Sequence, residues 1–382
     1  MRYILLTGGT GAIGSVLTRY LLEEPETRVR LLVRARSTAH LAERLTTLLS
    51  FLEIDPADAV RQRVEAVAGD VMLPRLGLES ADYDRLARSV THVVHSAGNV
   101  KLNRPLEDAR RAAVDSARHV VSFVDACVAP GQFVKAEFVS TVGVAGRMPG
   151  LIPERFLCEP REFRNTYEAA KAEAEQVLTE QIGRGLPATI HRPSMVVGHS
   201  STGTIIQFQV FYHLCEFLSG ARTAGVIPDA GETRLDIIPV DYVARAIQAS
   251  SLAPEARGQV FHLCSGPTHA PTINTLASQV QEIFATHGRR VRTLRSVSPS
   301  VLRALVSMAT PLSSGRFRGA LQALPYFLAY LHEPQTFDNE RTQAFFTPRG
   351  VVVPSVASYL RTVLSYYLTR DRASNEARRV AS

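Results

Sequence analysis

Thr7-Gly8-Gly9-Thr10-Gly11-Ala12-Ile13-Gly14 stands directly behind the apolar run of residues 3–6 and opens an apolar-periodic segment carried by Ile13, Val16, Leu17 and Leu21. This predicts a strand, a glycine turn and a helix start. The glycines recur at Gly8, Gly11 and Gly14, three apart each time, whereas the tighter fingerprint is G-x-G-x-x-G. At such a turn backbone N–H groups and the positive end of a helix close on a pyrophosphate, which a bulkier side chain would hold off. Thr7, Gly8, Thr10, Gly11, Ala12, Ile13 and Gly14 are therefore a candidate phosphate seat.

Working outward, residues 29–33, 64–68, 91–95, 133–139, 188–191 and 260–264 read as further strands. Helical periodicity lies between them, at 41–52 through Leu41, Leu45, Leu48, Leu49 and Leu52, and after the Asn103-Arg104-Pro105 turn through Val114, Ala117, Val121 and Val124. The alternation predicts an α/β fold, a Rossmann-type doubly wound parallel sheet, over 1–198 and 236–265. Beyond Gly266 the texture becomes helical, with pieces at 302–310, 317–331 and 356–368. Together with 199–235 the stretch 266–370 predicts a smaller, mostly helical C-terminal substrate lobe, followed by a flexible tail over 371–382. A helix is expected over 204–218, its Phe208, Phe211, Tyr212 and Phe217 covering a pocket or forming plain core. The stretches 325–328 and 359–367 are apolar with interspersed arginine, and three readings stay open: the wall of an acyl tunnel, peripheral contact with a membrane surface, or packing on the core.

Composition excludes several classes. A chain of 382 residues with 45% apolar and 21% charged content buries a large core and is not a disordered protein. Cys127, Cys158, Cys215 and Cys264 lie far apart without C-x-x-C spacing, which argues for reduced thiols and no metal. Met1-Arg2 runs straight into the first strand and no apolar run reaches the ~18 residues of a membrane span, so a cytoplasmic protein without a leader is expected. The net charge of +7 suits anionic ligands, but the basic residues are dispersed without nucleic-acid motifs, so nucleic acid is not an expected partner. His92 and His95 are three apart, on opposite faces of a strand, and read as core or surface histidines.

In doubly wound sheets chemistry gathers at the carboxyl ends of the strands. Arg34 occupies the position after the second strand, and no carboxylate stands there to bind ribose hydroxyls. An arginine at that place fits a 2′-phosphate, which favours NADPH, with Arg44 as a second phosphate contact; an ordinary exposed arginine is the alternative. Asp70 and Val71 would run past an adenine, and the small residues Ser96, Ala97 and Gly98 let a cofactor lie close to the chain. The fifth strand ends in Ser140-Thr141. Asn165 caps a helix with Glu168 three residues on, which puts Tyr167 in the first turn and Lys171 four residues later on the same face. A neighbouring ammonium is expected to pull the phenol below its usual pKa of about 10 and make it a usable general acid. Arg192-Pro193-Ser194 and Gly198 form a rigid turn to support a nicotinamide, with Pro193, Ser194 and Val197 as contacts, and Asp241 reads as an N-cap.

Thr-Gly-x-x-Gly-x-x-Gly at residues 7–14, Ser140-Thr141 and Tyr167-x-x-x-Lys171 together resemble the extended short-chain dehydrogenases. More narrowly, Val33-Arg34, Gly69-Asp70, Leu76-Gly77-Leu78, His95-Ser96-Ala97-Gly98, Ser140-Thr141-Val142, Arg192-Pro193-Ser194 and Pro239-Val240-Asp241-Tyr242 look like the NADPH-dependent thioester reductases and fatty acyl-CoA reductases, the male sterility-type family. These motifs cover residues 1 to about 265. The resemblance implies a catalytic set of Thr141, Tyr167 and Lys171, NADP as cofactor, and an acyl thioester on CoA or an acidic carrier protein, reduced to aldehyde or on to alcohol. Such enzymes usually carry Asn-Val-x-Gly-Thr before the fifth strand; here the chain reads Ala113-Val114-Asp115-Ser116-Ala117, so the relay behind the lysine lacks its usual side chain. Two other readings stand beside this one: an extended short-chain enzyme acting on a ketone, sterol-like or nucleotide-sugar substrate, and a non-catalytic NADP-binding sensor.

Overall fold

Along β1 (Arg2–Thr7) successive apolar side chains enter opposite cores: Ile4 and Leu6 pack with α1 (Ala12–Leu21), whereas Leu5 packs with Val93 and Phe138. A strand apolar on both faces has to be covered on both, which crossover helices achieve. The computed structural model of the chain describes residues 1–298, apart from 56, 103, 222 and 224, and residues 334–380. Its further strands are β2 (Thr27–Val33), β3 (Val64–Ala68), β4 (His92–His95), β5 (Lys135–Val139), β6 (Gly150–Ile152), β7 (Ala188–Pro193), β8 (Met195–Val197), β9 (Val226–Pro228), β10 (Ile237–Pro239), β11 (Val260–Leu263), β12 (Arg295–Val297) and β13 (Gln335–Phe337). Six of them join β1 in one seven-stranded parallel sheet in the order β11-β7-β5-β4-β1-β2-β3. The order reverses between β1 and β4, where Thr7 pairs with His95. This is the doubly wound α/β fold of Rossmann type, and its ligand crevice opens at that reversal.

Up to residue 251 the helices in chain order are α1, α2 (Thr38–Phe51), α3 (Ser80–Ser89), α4 (Leu106–Arg110), α5 (Ser116–Val128), α6 (Thr166–Gly183), α7 (Val210–Leu218) and α8 (Val240–Ser251). α1, α2 and α8 cover one face of the sheet, and α3, α5 and α6 the other. α2 begins before the apolar stripe because the Ser37 hydroxyl accepts from His40 N. α4 and α5 are joined by a π-turn, Arg111–Asp115, inside the helix expected there. Within 204–218 only α7 is helical. Asp241 is not an N-cap: Pro239 holds that position, and the carboxylate accepts instead from Ser200 N at 2.8 Å and Ser200 Oγ at 2.5 Å.

A second core joins α7 to the helices Ile273–Thr286 and Val356–Val380. Phe208, half-buried, packs against it, 4.8 Å from the Tyr212 ring and 4.9 Å from that of Tyr367. Tyr359, Leu360, Val363, Leu364 and Tyr367 are buried, so of the three readings of 359–367 packing on the core is the observed one. The expected pieces 302–310 and 317–331, with 325–328, lie outside the described residues. β12 and β13 were not anticipated, because strands of three residues are too short for alternation to register. The last helix, Val356–Val380, runs through most of the stretch assigned to a tail. Helix Glu340–Phe346 returns to the sheet, with Phe346 4.9 Å from Phe261 of β11. No helix among the described residues is long and apolar enough to cross a membrane.

Candidate active site

The glycines of the first turn do three different things. Gly8 has φ +74°, and a Cβ there would come to 2.5 Å from Ala97 N, at the end of β4. A Cβ on Gly14 would meet Gly8 O at 2.2 Å, so that glycine lets α1 pack on the turn. Gly11 is the N-cap of α1 and supplies no capping side chain; a Cβ there would meet only Gly8 O at 3.2 Å. The space beside Gly11 and the uncapped first turn, Ala12 and Ile13 included, fit a pyrophosphate. Thr7 contributes from behind: it is fully buried, and its Oγ1 accepts from Ala97 N at 3.3 Å and hydrogen-bonds His95 Nδ1 at 2.8 Å. The structure thus gives His95 a task the sequence reading missed, joining the turn to β4. Burial and the Lys171 ammonium keep that imidazole neutral, its pKa lowered to about 3.

At the end of β2 the Arg34 side chain is exposed, and Arg44 reaches across from α2. Arg44 Nη1 donates to Arg34 O at 2.7 Å and Nη2 to Thr10 Oγ1 at 2.5 Å, so its guanidinium spans the gap between β2 and the glycine turn. Burial, and then the charge of Arg34, lower the Arg44 pKa. Two cations brought together in this way favour an anion between them. Asp70 follows β3, its Oδ1 accepting from Met72 N, and Val71 O bonds His119 Nδ1 at 2.9 Å. Gly98 is exposed with open space where a Cβ would stand.

Thr141 leaves β5 as the N-cap of a short 3-10 turn, its Oγ1 accepting from Gly143 N at 3.1 Å, and its side chain stands near the Tyr167 phenol. Asn165 caps α6 as expected, accepting from Glu168 N at 2.9 Å, while the Glu168 carboxylate accepts from Arg164 N. This fixes the first turn of α6 and so the place of Tyr167. Lys171, one turn on, donates from Nζ to Val139 O at 2.9 Å. The expected acidification of the phenol is absent. Burial pushes Tyr167 up to about 12, with the neighbouring Thr141 hydroxyl opposing, and burial lowers Lys171 to about 8, with Glu175 opposing. The ammonium is turned to the strand carbonyl, and desolvation governs both groups.

Tyr167 and Lys171 share a cleft with Gly98, Lys101, Arg104 and Ala113. Ala113 lies in the π-turn, so the position that departs from the usual asparagine opens directly on the lysine. Pro193 ends β7, and Ser194 Oγ is buried without a hydrogen-bond partner among the described residues. The Val197 side chain is fully buried in the second core. Sequence reasoning also missed Glu175, buried four residues beyond Lys171 on the same stripe, although the four-residue spacing was there to extend. Among the described residues no group of three or more His, Cys, Asp or Glu is placed to hold a metal ion.

Residues 6–247 match the family described as male sterility protein. Over 252 residues, 65% of this chain, the sequence is 34% identical to an isonitrile lipopeptide synthase of Streptomyces coeruleorubidus, of which the match covers 16%. The next two curated relatives are likewise far longer, the chain spanning 27% and 5% of their length. Among solved structures, the terminal R domain from the myxalamid PKS-NRPS biosynthetic pathway is similar at TM-score 0.80 and 29% identity, over 97% of this chain and 91% of that one. A thiolation-reductase di-domain from an archaeal non-ribosomal peptide synthetase is similar at TM-score 0.74, over 97% and 76%; at 20% identity that likeness bears on the fold alone.

Proposed function

The chain belongs to the male sterility protein family, as an NAD(P)-dependent oxidoreductase of the extended short-chain type, and from that premise we propose that it reduces an acyl thioester with NADPH to the aldehyde. The observation that carries the reading is the corner that brings Thr141 near the Tyr167 phenol, with Lys171 one turn away in the same cleft as Tyr167 and Gly98. The 29% identical myxalamid R domain and the 34% identical lipopeptide synthase support a thioester presented on a carrier protein. The net charge of +7 suits the phosphate of a pantetheine arm, of CoA, or of an acidic carrier.

Thr7, Gly8, Thr10, Gly11, Ala12, Ile13 and Gly14 would form the pyrophosphate seat, with Arg34 and Arg44 at the 2′-phosphate and Asp70 and Val71 along the adenine. Ser96, Ala97, Gly98, Pro193, Ser194 and Val197 would bound the nicotinamide side, Val197 through its backbone. When bound, the dinucleotide supplies a hydride. The protein's own task is the proton. A phenol at about 12 stays protonated across the neutral range, so Tyr167 holds a proton ready for the carbonyl oxygen of the thioester as negative charge develops there. Thr141 orients that phenol and offers a second hydrogen bond to the same oxygen. Lys171, held on Val139, is an ammonium at neutral pH and steadies the phenolate left behind. The resulting hemithioacetal expels its thiol to give the aldehyde; further reduction to the alcohol at the same groups would require a second NADPH to supply a second hydride. The lobe formed by 199–235 and 266–370 is assigned to the acyl chain.

The test is a panel of acyl-CoAs, carrier-bound acyl thioesters, aldehydes and ketones, followed by NADPH absorbance and by titration of free thiol. NADPH oxidation matched by thiol release is the expected result. Turnover of ketones without thiol release would replace this reading with another short-chain reaction.

A further inference from the structure

Tyr167, Lys171 and Glu175 follow one another at four-residue steps along α6 and share one stripe of the helix. The Glu175 carboxylate, 5% exposed, is fully engaged. Ser140 Oγ donates to its Oε2 at 2.6 Å, Arg192 Nε donates to its two oxygens at 3.0 and 3.1 Å, and Arg192 Nη2 donates to Oε1. Arg192, wholly buried on β7, donates from Nη1 to His262 Nε2 at 3.0 Å, and His262 Nδ1 lies 2.8 Å from Asp338 O. A guanidinium only donates, so Nε2 accepts, Nδ1 carries the proton, and the imidazole is neutral. The row therefore links the catalytic corner to the segment that returns from the lobe, Glu175 accepting on both sides and Arg192 donating on both.

A clamp between α6 and β7 needs no charge: apolar side chains of similar volume would hold the two elements as well or better. These charges lie one residue from Thr141 and one helical turn from Lys171. We propose that Glu175 and Arg192 are positioning residues of the reductase, Glu175 fixing the Ser140-Thr141 corner and holding Lys171 as an ammonium, and Arg192 holding the Glu175 carboxylate in place between α6 and β7. The proposal rests on the roles given above to Thr141, Tyr167 and Lys171. The groups that face Lys171 are Tyr167 and Glu175 on its own helix, neutral His95 from β4, Lys101 and Arg104 from the loop after β4, and the Val139 carbonyl from β5. Among the described residues the carboxylate acting on the ammonium is that of Glu175.

The deciding measurement needs no substrate: acylation of Lys171 by an amine-reactive ester in the dinucleotide-free chain, across a pH series, quantified on the Lys171 peptide by mass spectrometry. The unaltered chain should react with a midpoint near about 8. Glu175→Gln should move the midpoint down by about one pH unit, and Glu175→Asp should leave it in place. Glu175→Gln leaves Arg192 unpaired in the interior, so the double variant Glu175→Gln/Arg192→Gln is made in parallel, and it should shift in the same direction. In turnover, Glu175→Asp should lower kcat about tenfold or more with little change in KM, since the corner is displaced while the charge remains. An unmoved midpoint in the folded double variant, or an equal shift in Glu175→Asp, overturns the proposal. A shifted midpoint in a chain that reduces no thioester overturns only the substrate reading.

Discussion

Lys171 Nζ donates to the carbonyl oxygen of Val139 at 2.9 Å, so the cation that shares a helix face with Tyr167 is anchored on the last residue of β5. Burial lowers the lysine to about 8 and raises the phenol to about 12. The ammonium exists below its own pKa and is lost above it, so as pH rises the free enzyme loses its cation well before the phenol ionises. We expect kcat/KM to be level near neutrality and to fall above about pH 8, approaching a tenfold loss per pH unit. Initial rates between pH 6 and 11 at subsaturating thioester decide it; a limb that begins near the ordinary lysine value of 10.5 would show that Lys171 titrates unperturbed.

Tyr167→Phe keeps the ring and removes the proton. A positioned general acid is worth about 10²- to 10⁴-fold in rate, so thiol release and NADPH oxidation should drop by that much. Dinucleotide affinity, measured by fluorescence titration, should change little. Turnover within a few-fold of the unaltered chain would remove Tyr167 from the chemistry.

The sheet was legible because most of its strands carry a short apolar stretch followed by small or charged residues, from Leu5-Leu6-Thr7 and Leu32-Val33-Arg34 to Phe138-Val139-Ser140. Tyr167 and Lys171 were legible because helical periodicity alone puts them on one face. What sequence spacing does not carry is partner choice across the fold. Nothing beside Arg192 announces Glu175, and nothing beside Asp241 announces Ser200, because each pair meets through tertiary packing. The direction of the Tyr167 shift failed for the same reason: the decisive quantity is how much water each group loses, and which carbonyl the ammonium finds.

Two glycines of the turn should respond differently to the same methyl. Gly14→Ala places a Cβ 2.2 Å from Gly8 O, a backbone atom that cannot swing aside, and should lower the melting temperature as well as dinucleotide binding. Gly11→Ala meets Gly8 O at 3.2 Å and should fold, with its loss confined to affinity, because there the methyl points at ligand space. Thermal melts and titrations on the pair separate the roles; equal destabilisation in both would mean that Gly11 serves packing and leaves no seat.

Arg44→Ala tests which dinucleotide the turn accepts. Its guanidinium is held by Thr10 Oγ1 and Arg34 O, and the adjacent Arg34 charge makes this a place where one more anion lowers the energy of both cations. A 2′-phosphate supplies that anion and a 2′-hydroxyl does not, so removing the arginine should weaken NADPH and leave NADH nearly untouched. Losing one charge-assisted contact of about 1.5 to 3 kcal/mol corresponds to a rise in the NADPH KM of about ten- to a hundredfold. Arg34→Ala, at the more exposed of the two cations, should fall at the lower end of that range. Parallel KM measurements with both dinucleotides check the direction. If NADPH and NADH weaken together, the two arginines hold the shape of the turn and the preference for the phosphate has to come from elsewhere.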